Sequence, residues 1–99
     1  MKIVFDVKPE KKAEAELIAK SDDTISRQSI IMRSAASLGM EEKMGTSYVL
    51  VIDGSEEAVR KARELLKDIA KEIEQPDSIL EKIREDDEKA VEGFGSIFG

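Results

Sequence analysis

Read for apolar and polar positions, the chain divides into six elements. Ile3-Val4-Phe5-Asp6-Val7 is β-branched and aromatic, and Pro9 stops it, which predicts a strand over residues 2–8. Pro9 suits the first position of a helix, where the missing N–H costs nothing. Residues 10–20 are strong helix formers, with a thin apolar face of Ala13 and Leu17 and with Ile18 beside them. Ser21-Asp22-Asp23 ends that helix as a polar turn. Ser47-Tyr48-Val49-Leu50-Val51-Ile52-Asp53 is almost continuously apolar, the pattern of a central strand covered on at least one face.

Residues 24–38 fit two patterns. As a helix, Ile31, Ala35 and Leu38 share a face and Gly39 follows as a stop. As a strand, Ile30 and Met32 lie on one face, with Ala36 and Leu38 further along it. Two strands alone rarely make a stable sheet, so a third strand over residues 27–35, paired with 47–53, is the reading adopted. Residues 38–45 form the loop between them, flanked by Gly39 and Gly45.

After the turn at Gly54, Asp53 or Ser55 caps a helix over residues 55–74. Val59, Ala62, Leu66, Ile69 and Ile73 form its stripe, widened by Ala58 and Leu65. Glu56–Arg60, Glu57–Lys61 and Arg60–Glu64 are opposite-charge pairs four apart. Pro76 interrupts, and a last helix runs from 76 to about 91. Ile79, Leu80 and Ile83 give that helix an apolar start, whereas Asp86 and Asp87 occupy the next turn of the same face. The expected fold is α+β: a three-stranded, mostly antiparallel sheet with helices chiefly on one face, in the order β-α-β-β-α-α. Residues 1–92 form the single domain, and residues 93–99 form a flexible Gly/Phe tail.

Composition narrows the function more than the fold. The 99 residues contain no Cys and no His. That removes disulfides, thiolate zinc sites, cysteine nucleophiles and the commonest general base. Asn is absent too, while Lys and Glu are abundant, a bias of hot-living organisms. No apolar run is long enough for a signal-peptide core or a spanning helix, so a soluble, cytoplasmic protein without membrane contact is expected. The net charge of −6 is uneven: residues 1–40 carry seven basic and six acidic groups, and residues 41–99 carry nine and sixteen. An acidic chain does not draw phosphate backbones over long range, which disfavours nucleic acid as a partner.

Five serines crowd residues 21–37 (Ser21, Ser26, Ser29, Ser34, Ser37), but no His and no Ser-x-x-Lys motif accompanies them. No catalytic residue and no cofactor is therefore assigned. Glu81, Glu85, Glu88 and Glu92 recur at helical spacing and are the candidates for divalent-cation (calcium) binding; Lys82, Arg84 and Lys89 offset them, which makes a solvated face the simpler reading. Asp22-Asp23-Thr24 with Ser26 offers oxygen ligands, yet Arg27 and Arg33 stand where an EF-hand loop needs Gly and Glu. Met32, Met40 and Met44 are read as core filling.

The run Tyr48-Val49-Leu50-Val51-Ile52-Asp53-Gly54-Ser55-Glu56-Glu57-Ala58-Val59-Arg60-Lys61-Ala62 resembles the last strand and helix of a KH RNA-binding domain. The resemblance implies RNA binding, with Arg27, Arg33, Lys43 and the N-terminal lysines forming one basic surface. The family's Gly-x-x-Gly clamp is missing here, because Gly39 and Gly45 are separated by five residues that include two acids. The leading expectation is a small non-enzymatic protein that associates with itself or another protein, as a homodimer or an accessory subunit. Its contact residues would be Ile31 on an open sheet face, or Phe94, Ile97 and Phe98 of the tail, whose exposure to water would be costly.

Overall fold

A computed structural model describes the backbone of residues 1–98 and the side chains of residues 1–87. The chain is α+β, with strands β1 (Lys2–Val7), β2 (Ser29–Ser34), β3 (Tyr48–Asp53) and β4 (Lys71–Glu72). The helices are α1 (Lys12–Ser21), α2 (Glu41–Met44), α3 (Glu56–Leu66) and α4 (Asp77–Phe98). The sheet has four strands rather than the expected three, in the order β2-β3-β1-β4, and every pair is antiparallel. Because β1 lies between β3 and β4, and β3 between β2 and β1, the chain forms two interleaved split β-α-β units, the ferredoxin-like connectivity.

The fourth strand comes from the segment expected to continue the helix after Gly54. Residues 55–74 hold a good helical stripe, but α3 stops at Leu66. Ile69 N and Ala70 N both donate to Leu66 O, and the chain turns back to the sheet. There Glu72 pairs with Phe5 and Lys71 with Asp6, and Ile73 N donates to Val4 O at 2.8 Å. The outer edge of β1 offers main-chain bonds that outweigh the helix propensity of this segment. Ile73 consequently packs on the opposite face of the sheet from Leu66. Leu65, expected to widen the stripe, is 41% exposed.

Ser55 is the cap: its Oγ accepts from Ala58 N at 3.1 Å. Residues 24–38 do hold a strand, bounded by 3-10 turns at Ile25–Arg27 and Ala36–Leu38. The loop before β3 holds the short α2, and Gly39 and Gly45 flank it with φ of 72° and 59°, conformations that favour glycine. In α1 the buried residues are Ala15 and Ala19, whereas Leu17 is 65% exposed. Small side chains let this helix lie close to the sheet, and the larger Leu17 points away.

Strand alternation divides the interior into two clusters. Ile3, Phe5 and Val7 of β1 and Leu50 and Ile52 of β3 face α1 and α3, meeting Ala15, Ala19, Ile25, Val59, Ala62 and Leu66. Val4, Val49 and Val51 face the other way and meet Leu38, Ile79 and Ile83. The expectation of helices chiefly on one face is therefore corrected: α4 lies across the second face. Pro76 ends the preceding run, and Ile79 and Ile83, one turn apart, give α4 just enough apolar surface to cover the three valines. No helix among the described residues is long and apolar enough to cross a membrane.

Candidate functional site

The features that can meet another molecule lie around α4 and at the free edge of β2. The central strands place Lys2, Asp6 and Asp53 on the α4 side, so the strand charges share a face with the smaller apolar cluster. Two grooves flank α4 there. One, of about 400 Å³, lies over Ile31 and Val51 between β2 and the outer side of α4, with Lys2, Asp53, Arg84 and Asp87 around it. The other, of about 550 Å³, lies between α2, β4 and the start of α4. Its apolar lining is Met40, Met44, Ile73 and Ile79; its polar lining includes Asp6, Lys43, Lys71, Glu74 and Ser78.

Asp6 is the residue that sequence reasoning missed. It sits in a central strand, directly across from Val49 on β3 and Lys71 on β4. Its Oδ1 is buried without a hydrogen-bond partner. A buried acceptor left in this state typically costs about 1–3 kcal/mol, and more when charged. The signal was present in the sequence: a single carboxylate inside an otherwise apolar strand.

β2 closes one end of the sheet, and among the described residues no strand lies beyond it. Ala35 N donates to Ser47 O at 2.9 Å, which sets the phase of the antiparallel ladder. By that alternation Arg33 and Ile31 bond to β3, while Ile30, Met32 and Ser34 turn their main-chain groups outward. The carbonyl of Ser34 is taken by Ser37 Oγ at 2.8 Å, which leaves Ile30 and Met32 with both groups free. Ile30, Ile31 and Met32 are half-buried side chains at this edge.

The sequence-derived candidates are dispersed. Ile31 lines the smaller groove. The aromatic tail, with Phe94, Ile97 and Phe98, and the acidic positions Glu88 and Glu92 lie outside the described side chains. Glu81 is exposed and ion-paired with Arg84, and Glu85 is half-buried beside Ala36 and Lys82. Among the described residues no three acidic groups converge in a way that could hold a metal ion. The basic residues named for RNA are also separated. Arg27 pairs with Asp23, Arg33 with Asp86 and Asp87 of α4, and Lys2 and Lys43 lie beside different grooves.

Two ion pairs tie the other face together, and neither is among those expected within α3. Lys61 Nζ lies 2.9 Å from Asp22 Oδ1. Asp22 also accepts from Thr24 N and Ile25 N, and the Ile25 bond, followed by Lys61, holds its carboxyl below the usual value. The same pairing raises Lys61. Arg63 donates to both oxygens of Glu72, at 2.7 and 3.2 Å, which lowers Glu72 and raises Arg63. Three of the five serine hydroxyls are spent on turns: Ser26 bonds Asp23 O, and Ser34 and Ser37 bond each other's main chain. No family model, no curated protein and no solved structure matches the chain.

Proposed function

We propose that the protein works by association with a second copy of itself, through the free edge of β2. The observation that carries this reading is the edge itself. Ser29-Ile30-Ile31-Met32-Arg33-Ser34 contains no proline and no lysine, the usual devices that blunt an edge strand, and Arg33 is drawn toward Asp86 and Asp87. Unpaired main-chain groups at Ile30 and Met32 are a template for another strand.

The geometry also selects a register. An antiparallel two-fold centred on Ile31 sets Ile30 opposite Met32 of the second copy, and all four free groups of each strand bond. Arg33 then faces Ser29, so no like charges meet. A two-fold centred on Met32 would instead need the Ser34 carbonyl, which Ser37 already occupies. The resulting assembly is one continuous eight-stranded sheet with closed two-fold symmetry.

The test is the substitution Met32→Pro. It removes an outward N–H and none of the bonds to β3, a position where edge strands accept proline. Light scattering at about 100 µM is expected to give a dimer for the native chain and a folded monomer for the variant. A native chain that stays monomeric at that concentration, or a variant that still dimerises, defeats the reading.

A further inference from the structure

We propose that the two copies exchange the ends of α4: the groove over Ile31 and Val51 receives residues 88–98 of the second copy. This exchange rests on pairing through the β2 edge and goes beyond it, because strand pairing alone leaves both grooves open.

Three observations converge. The first is where α4 runs out of sheet. Near its start, Ile79 lies in the same groove as Asp6 of β1 and Ile73 just after β4. Asp86 and Asp87 then reach Arg33 on β2, the last strand among the described residues. The helix nevertheless continues to Phe98. Residues 88–98 add about 16 Å of helix, enough to pass about three more strands at a spacing of about 4.8 Å.

The second is the sequence of that extension. Ala90, Phe94 and Ile97 repeat at helical spacing and share a helical face with Ile83, two turns before Ala90. Val91 and Phe98 widen the row. The row that covers the valines thus resumes beyond the β2 edge, where among the described residues its own copy has no strand to offer. Such a row is costly to leave in water.

The third is what the dimer register puts there. Two antiparallel β2 strands are related by a two-fold normal to the sheet, so both α4 helices lie on the same face. Setting Ile30 opposite Met32 places Arg33 of the second copy beside Ser29. The second α4, which crosses its own β2 at Arg33, is therefore aimed over Ser29. Across the strands from Ser29 lie Asp53 and then Lys2. Ser29, Asp53 and Lys2 all border the groove over Ile31 and Val51, and the resident α4 forms its wall. Arg33 and Ser29 lie about 13 Å apart along β2. Packed helices need about 8–10 Å between axes, so the two α4 helices fit side by side and antiparallel.

The experiment uses the full chain. No cysteine is present, so Ser96→Cys, off the apolar row, gives a single attachment point for a nitroxide. Spin-labelled chain without isotope is mixed with nitrogen-15-labelled native chain at about 100 µM. Only contacts between copies can then broaden the observed amides. Strong broadening is expected at Lys2, Ser29 and Asp53, and much less at Lys43, on the other side of α4. Adding Met32→Pro to both chains should remove it. Light scattering on the same sample separates the two readings. A dimer without this broadening overturns the exchange and leaves the β2 pairing standing, whereas a monomer defeats both. Phe94→Asp should raise the dissociation constant of the dimer at least about tenfold. In the Met32→Pro monomer the same substitution should leave the denaturation midpoint unchanged. An unchanged dissociation constant, or a lowered midpoint in that monomer, would place Phe94 elsewhere and overturn the exchange.

Discussion

The two faces of the sheet are made from alternate residues of the same strands, yet they are built very differently. Toward α1 and α3, two helices bury Ala15, Ala19, Val59, Ala62 and Leu66 against Ile3, Phe5, Val7, Leu50 and Ile52. Toward α4, Ile79 and Ile83 are the buried helix residues among those described, against three valines and Leu38. On the two central strands the first face carries no charged residue, whereas the second carries Lys2, Asp6 and Asp53 and is flanked by both grooves. One layer of strands thus separates a side specialised for stability from a side that keeps polar groups and space. Fold alone does not assign a function, but this asymmetry says where a function has room.

The comparison can be broken most directly by truncating both sides. Phe5→Ala on the α1/α3 side should cost about 3–5 kcal/mol, much of the stability of a small domain. Ile83→Ala on the α4 side should cost about 2 kcal/mol, because its surroundings are shallower. In the second variant, amide exchange should accelerate over residues 78–86 more than in β1. Denaturant unfolding measures both, and equal losses would erase the distinction between the faces.

A smaller effect tests how α3 is held on its side. Ser55→Ala removes the cap on Ala58 N and should cost about 1 kcal/mol, with Ser55→Asp restoring most of it. A loss unrelieved by Asp would mean that the hydroxyl serves something other than the cap.

The smallest effect is a pH dependence. Asp22 and Glu72 have carboxyls lowered in the folded state, so each stabilises the fold above its unfolded value and loses that contribution as pH falls through the folded one. The midpoint of thermal unfolding should therefore drop as pH is taken from about 5 to about 3. Asp22→Ala should flatten that slope while lowering stability at neutral pH. A slope unchanged in this variant would place the acid sensitivity elsewhere.

Much of this arrangement was legible in the sequence. The strands at residues 3–7 and 48–53 follow from local pattern, which also narrowed the helix cap to Asp53 or Ser55. The third strand followed only from the argument that two strands are too few. What local pattern hid was competition. Ile69 and Ile73 continue a helical stripe, and nothing within residues 55–74 reveals that β1 offers Lys71–Ile73 an edge more than sixty residues away in sequence. Likewise Leu17 looks like the natural contact of its helix, but close approach to the sheet selects Ala15 and Ala19. Asp6 was passed over although it is the one carboxylate among residues 3–7, and its unpartnered state depends on where Lys43 and Lys71 arrive.

The interleaved strand order also has a consequence for how the chain is made. Among the described residues β1 bonds only to β3 and β4, the nearer of which begins at Tyr48. During synthesis the first strand therefore has no strand partner until β3 has been produced. The one local pairing is the β2–β3 hairpin, so it is the natural seed, and β1 must later insert beside it. Folding rate, measured by stopped-flow refolding, should respond more to changes in the Ala35–Ser47 connection than to changes in α4.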